Sequence, residues 1–232
     1  MRRKSQFRLK PGHPEKLHIQ LAHFKQKYNW DCGVSCVLMV LPKRHRQHLL
    51  RHFGKVCKEE GFYGSTWTVD LCYLLKRYDV QHVFCTVTLG VHPGYKGNSF
   101  YNHILTKDEA RVNRRFEEAQ RSGVAIERAS VPLQRILDHL VDGPAIVLTN
   151  ARLLSCDVCK LNKISTELRK CIPWPTPYQG HYVVLCGYEL AARKVYYRNP
   201  SFADRVCVMS VDALEEARKS YGTDEDVILV YS

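Results

Sequence analysis

Gln26-Lys27-Tyr28-Asn29-Trp30-Asp31-Cys32-Gly33-Val34-Ser35-Cys36 is the stretch from which the rest of the chain can be read. A largely apolar stretch extends from Cys32 to Leu41, where Pro42 stops it, and Asp31 stands at the N-cap position, so a helix is predicted over 32–41. A cysteine in the first turn of a helix faces unpaired backbone N–H groups and the positive end of the helix dipole, both of which favour a negative sulfur. Cys32 is therefore a candidate nucleophile. Gln26 lies six residues earlier, a spacing that lets its amide return beside the helix start and join the Cys32 backbone N–H in binding an oxyanion. Gly33 keeps the approach beside the sulfur open.

A thiol nucleophile needs a base. His181, in Gln179-Gly180-His181-Tyr182-Val183-Val184-Leu185, opens a strongly apolar strand and follows a glycine that lets another segment come close. Asn199 ends the next strand, in Tyr196-Tyr197-Arg198-Asn199-Pro200. A hairpin folded about the polar Glu189–Arg193 turn makes His181 and Asn199 cross-strand neighbours, and the amide would then fix the tautomer and orientation of the imidazole. Singly, these three residues read as a buried helix cysteine, a strand histidine and a turn asparagine. Together they read as a site.

The 232 residues are 45% apolar and 25% charged, ordinary values for a folded chain. The longest clear apolar run, Cys36 to Leu41, is far short of the roughly eighteen residues of a membrane span, and no export signal precedes it, so a soluble intracellular protein is expected. The net charge of +12 is concentrated at the start: Arg2, Arg3, Lys4, Arg8, Lys10 and Lys16 face only Glu15, and without that segment the surplus is +7. Such a surplus gives weak attraction to polyanions. No zinc finger, RNA-binding sheet or helix-turn-helix signature accompanies it, so no specific nucleic-acid partner is expected. Ten cysteines without an export signal read as reduced thiols, and Cys72, Cys85 and Cys186 sit inside apolar segments as small core residues.

Residues 1–17 read as a basic flexible arm broken by Pro11, Gly12 and Pro14, and residues 18–232 as one domain. An extended entry is predicted at 18–24, with a basic, histidine-rich solvated helix face or connection at 43–52. Helices are predicted at 66–78, 107–120, 131–141 and 212–219, and strands at 82–89, 145–149, 182–188, 194–198 and 227–231. A cysteine- and proline-bearing insertion occupies 151–179. Helices first and strands mostly later give an α+β class, with N-terminal helices packed on a mainly antiparallel sheet.

Gln26 to Cys36, Gly180-His181-Tyr182-Val183-Val184 and Asn199-Pro200 resemble the papain-like cysteine peptidase superfamily, in particular its C39-like branch. Further motifs are similar to the guanylyl cyclase domain-containing protein 1 family: Tyr28 to Gly33, Trp67-Thr68-Val69-Asp70-Leu71, Thr88-Leu89-Gly90-Val91, Asn98-Ser99-Phe100-Tyr101 and Ser220 to Asp226. The resemblance runs from about residue 18 to the C-terminus. It implies a cytosolic protein on a cysteine peptidase fold, with Gln26 as oxyanion residue, Cys32 as nucleophile, His181 as base and Asn199 as orienting residue. C39-like members usually carry Asp in the last position, so Asn199 follows the papain-like pattern. Cys36 is ten residues past Gln26, and Cys32 is the better match.

The family label also implies cyclase chemistry, which in its metal-dependent form needs two carboxylates holding metal ions against a triphosphate. Asp224 and Asp226 have alternate spacing but precede the last strand and read as a polar turn, with no glycine-rich phosphate loop. Elsewhere, Cys156-Asp157-Val158-Cys159 with Cys171 offers zinc ligands, one short of a closed structural site. The expectation is thiol-dependent hydrolysis or acyl transfer on a peptide, isopeptide or related carbonyl, needing no cofactor. The alternatives are an inactive interaction module on the same fold and a guanylyl cyclase. Contact between Cys32 and His181, contact between His181 and Asn199, and a Gln26 amide facing the same cleft are the geometry this reading demands.

Overall fold

Helix α1 (Cys32–Val40) forms where the sequence places it, and every residue from Cys32 to Met39 is buried. In the computed structural model, residues 12–62, 64–97, 99–159 and 178–232 are described. Leu41 turns extended before Pro42 and ends the helix. The Asp31 carboxylate does not cap α1. It accepts the N–H groups of Lys27 (3.1 Å) and Tyr28 (3.0 Å), fixing the approach loop instead.

Helices α2 (Lys43–Arg51), α3 (Phe53–Glu59) and α4 (Thr68–Arg77) follow. The basic stretch predicted as a solvated helix face is α2, whose one buried residue is Leu49. Asp70 accepts the Trp67 N–H at the start of α4 (3.0 Å) and is fully buried against Arg111 and Arg115 of α5 (Ser99–Glu118). That buried pairing ties α4 to α5. The latter starts eight residues earlier than the predicted 107.

Strands β1 (Lys16–His18), β2 (His82–Thr86), β3 (Ala125–Arg128), β4 (Ala145–Asn150), β5 (Gly180–Glu189), β6 (Lys194–Arg198), β7 (Cys207–Ser210) and β8 (Val227–Val230) form one sheet in the order β3-β2-β8-β4-β5-β6-β7, with β1 also pairing β5. All pairs are antiparallel except β2–β3, which α5 joins as a crossover. The architecture is α+β. Strand alternation divides its core: Ile146, Leu148, Tyr182, Val184 and Ile228 pack with α1 and α4, while Val147, Val183, Leu185, Val227 and Leu229 pack with α6 (Leu133–His139) and α7 (Val211–Arg218). Covering both faces explains why β4, β5 and β8 read as continuous apolar runs. Each fully buried aliphatic side chain there contributes about 1.5–3 kcal/mol.

Two close approaches fix how α1 and the chain entry meet β5. A Cβ on Gly33 would stand 2.8 Å from Leu71 Cδ1 and 3.1 Å from Tyr182 Cδ2, so this glycine seats α1 on α4 and β5 and is not merely a clearing beside the sulfur. A Cβ on Gly187 would lie 2.1 Å from the Leu17 carbonyl oxygen, where β1 crosses. Lys16 and Leu17, read from sequence as the end of a flexible arm, instead pair with Glu189 and Tyr188. At the base of the predicted 151–179 insertion, the Ala151 N–H donates to the Gln179 carbonyl (2.8 Å). Residues 160–177 of that segment lie outside the described residues. Among the described residues, no helix is long and apolar enough to cross a membrane.

Candidate active site

His181 stands at the open end of β5, where β6 ends and the chain turns through Asn199 and Pro200. The ladder pairs Val184 with Arg198 and Leu185 with Tyr197, then shifts at a bulge before Gly187–Tyr196. Placing His181 directly opposite Asn199 would have paired Val184 with Tyr196, so the observed register is displaced by two residues from that expectation. A two-residue displacement preserves the face on which each side chain lies. Asn199, just beyond β6, still reaches back to His181.

The His181 Nε2–H donates to Asn199 Oδ1 at 2.9 Å. The Ser201 N–H donates to the same oxygen at 3.0 Å, which orients the amide unambiguously. With its proton on Nε2, the imidazole keeps its lone pair on Nδ1. Ser201 is a bridge that sequence reasoning missed: its Oγ lies 3.4 Å from His181 Nε2 and donates to Gln26 Oε1 at 2.9 Å. The signal was present in Asn199-Pro200-Ser201, since an asparagine commonly accepts the N–H two residues on.

Gln26 is brought beside this pair, its backbone N–H donating to the Pro200 carbonyl at 2.9 Å. Its side-chain amide does not face the cavity as expected. Nε2 donates to the Tyr28 carbonyl at 2.8 Å, closing the loop before α1 and leaving the second amide hydrogen for another acceptor.

Cys32 begins α1 and is 6% exposed. No hydrogen bond joins its sulfur to His181, contrary to the contact the sequence reading demanded. The polar neighbours of the sulfur are backbone N–H groups of Tyr182, Gly33 and Cys32 itself. Tyr182 follows His181 directly, so thiol and imidazole stand at the same end of β5, but successive side chains of a strand point to opposite faces and Tyr182 is the one on the α1 side. Burial pushes the Cys32 thiol up to about 11, with Asp31 adding to the rise and the three N–H groups opposing it. Burial likewise lowers the His181 pKa, against the raising effect of Asn199. The resting pair is a neutral thiol and a neutral imidazole. The helix terminus predicted to favour a thiolate is outweighed by desolvation. Burial raises the Cys36 thiol as well, and this residue is fully buried.

Cys32 opens onto a cavity of about 210 Å³ walled by Trp30, Trp67, Phe100, Tyr101, Tyr178 and Tyr182. Tyr101 stacks on Tyr178 at 5.7 Å between ring centroids, and its hydroxyl donates to the Gly222 carbonyl at 2.6 Å. Asp224 and Asp226 line the same cavity. They follow the predicted polar turn, with Asp224 and Glu225 in the left-handed region at φ 48° and 53°. Asp226 is 8% exposed, accepts the Thr68 hydroxyl, and is held well above the usual carboxylate range by burial and by Asp224. Asp224 is also raised by burial, while hydrogen bonds from Tyr95 and Thr88 oppose the rise. Sequence reading treated Asp226 as a turn residue because Thr68, its hydroxyl partner, is remote in the chain.

A second cluster lies apart from this cavity. Cys156 and Cys159 converge as their spacing suggested, and their third partner is Cys207 of β7. Cys171, the candidate named from sequence, lies outside the described residues.

Fold and site thus define a mainly antiparallel α+β protein with a buried thiol at a helix start and an oriented imidazole–amide pair at the head of the strand on which that helix packs. The family model described as guanylylate cyclase matches residues 21–230, and the chain belongs to that family. It is 35% identical over 223 residues to guanylyl cyclase 1 of Arabidopsis thaliana, an alignment covering 94% of this chain and 78% of that protein. Among solved structures, a C39-like peptidase from Bacillus anthracis is similar at 20% identity with a TM-score of 0.29, over 43% of this chain. The similar region spans 46% of that structure, and so partial a likeness carries no argument.

Proposed function

We propose that this chain has a papain-like, C39-like fold and is a thiol-dependent hydrolase or acyl transferase acting on a peptide, isopeptide or related carbonyl. The observation that carries the reading is the His181–Asn199 hydrogen bond of 2.9 Å, which leaves the Nδ1 lone pair free at the end of β5 where Cys32 is also placed. In the proposed reaction, the Cys32 sulfur attacks the carbonyl carbon as His181 Nδ1 accepts the thiol proton. The carbonyl π electrons move to oxygen. The Cys32 N–H stabilises that oxyanion, and the Gln26 amide joins it on turning away from the Tyr28 carbonyl. Collapse breaks the bond to the leaving group, which takes the proton from His181, and a thioester remains on Cys32. Water or an acceptor amine then releases the acyl group.

Because both groups rest neutral, attack and proton transfer are concerted with substrate binding, and His181 must close on the sulfur at that moment. The test is labelling with a peptide-based acylating electrophile. Covalent modification at Cys32, lost in His181→Ala, supports the reading, and labelling independent of His181 overturns it.

A second reading, guanylyl cyclase chemistry, is favoured by one observation: Asp224 and Asp226 line the same aromatic cavity. Formation of cyclic GMP from GTP with magnesium or manganese, abolished by Asp226→Asn and unaffected by Cys32→Ala, would establish it over the first.

A further inference from the structure

Cys156, Cys159 and Cys207 lie on the side of the sheet away from α1, in the core shared with α6 and α7. Their three sulfurs all lie within 4.8 Å of one another, and the residues are 1%, 7% and 0% exposed. Cys207 lies 48 residues beyond Cys159, so the convergence is built by tertiary structure. The loop carrying Cys156 and Cys159 is fastened on both sides. The Asp157 N–H donates to the Val208 carbonyl at 2.8 Å, Lys194 pairs with the Asp157 carboxylate at 2.6 Å, and the Tyr197 hydroxyl donates to the Ser155 carbonyl at 2.8 Å.

Hydrogen-bond donors and a cation stand around the sulfurs. Backbone N–H groups of Val208, Cys159 and Val158 face the Cys156 sulfur, and the Arg205 guanidinium faces Cys159. Arg205 is held there over the Phe202 ring, 4.4 Å from its centroid. Three thiolates around a divalent cation carry one net negative charge, which the guanidinium offsets.

We infer that Cys156, Cys159 and Cys207 supply three ligands of a metal site for a thiophilic divalent cation, zinc by its ligand chemistry, with water as the fourth ligand. A zinc–sulfur bond of about 2.3 Å in a tetrahedron places sulfurs about 3.8 Å apart, so the observed cluster needs a contraction of no more than about 1 Å. Side-chain rotation supplies that without moving β7. Three sulfur ligands select zinc over magnesium or calcium, which require oxygen. Binding displaces one proton from each thiol. The ion staples the 155–159 loop to β6 and β7, independently of Cys32 and its cavity.

The test uses the full chain, purified under reducing conditions without chelator. One zinc per chain by elemental mass spectrometry is expected, with affinity at least about tenfold weaker in Cys156→Ser and Cys207→Ser. Cys57→Ser, which removes a buried thiol in the other core, keeps the metal. Cobalt exchanged into the wild-type chain shows thiolate-to-cobalt charge-transfer absorption that falls by about a third for each ligand removed. If Cys207→Ser does not fold, this wild-type spectrum and Cys159→Ser carry the test. A chain that takes up neither zinc nor cobalt overturns the inference. So does zinc retained at full affinity in both ligand variants, or a Cys156–Cys159 disulfide recovered from protein prepared with zinc present.

Discussion

The ionisation of Cys32 can be measured directly, by following its alkylation with a small neutral reagent such as iodoacetamide from pH 6 to pH 10 and reading the modified residue by peptide mass spectrometry. Only the thiolate reacts. With the pKa pushed up to about 11 by burial, roughly one molecule in 10,000 carries the thiolate at pH 7, against about three in a hundred for an ordinary cysteine. Cys32 should therefore react roughly 300-fold more slowly than free cysteine at pH 7, an ionisation penalty on the order of 3 kcal/mol. Its rate should climb about tenfold per pH unit without a plateau below pH 10. Cys36 should react more slowly still, since it is fully buried whereas Cys32 keeps some exposure, and burial raises its thiol too. His181→Ala should leave the iodoacetamide profile unchanged, because no hydrogen bond joins the ring to the sulfur in the resting protein. A plateau with a midpoint below pH 8, removed by His181→Ala, would refute the reasoning: it would show a preformed thiolate–imidazolium pair and a helix terminus that outweighs desolvation.

Other consequences are equally open to measurement. Asn199→Ala removes the acceptor that holds the Nε2 proton, and should lower turnover of a peptide electrophile by about 100-fold or more while circular dichroism stays native; unchanged turnover would remove Asn199 from the site. Gly187→Ala forces a Cβ to within 2.1 Å of the Leu17 carbonyl and should cost about 2 kcal/mol or more in urea unfolding as β1 is pushed off. Gly54→Ala, in α3 with nothing within 4 Å of the added atom, should instead be neutral or stabilise by up to about 1 kcal/mol. Asp226 is protonated in both folded and unfolded chains below its ordinary pKa. As pH rises past that value the unfolded chain releases the proton first, so wild-type stability falls until the raised folded-state pKa is reached. Asp226→Asn should abolish this slope and be the more stable form at neutral pH. A difference between the two proteins that does not change with pH would contradict the assignment.

Much of this molecule is written locally. Helix α1 is marked by a largely apolar stretch ending at a proline, and β4, β5 and β8 by apolar runs that only a doubly covered strand requires, so their positions follow from residues within a turn or two of each other. The pairing of His181 with Asn199 was legible for the same reason, since a hairpin joins them. Strands β3 and β7 are four residues each with partly exposed side chains, too short for a period to declare itself, and β1 is fixed by the close approach of Leu17 to Gly187.

What the sequence by itself determined, then, is the class of fold, the candidate residues and the family. Tertiary structure decided their state. The thiol and imidazole are neutral because burial, a property of the whole packed core, outweighs the local helix terminus. Ser201 joins Gln26 to His181, and Cys207 meets Cys156 and Cys159, across separations in sequence that no local pattern spans. Secondary structure is set by neighbours along the chain, whereas solvation and the convergence of side chains are set by neighbours in space, and those exist only once the sheet has closed against its helices.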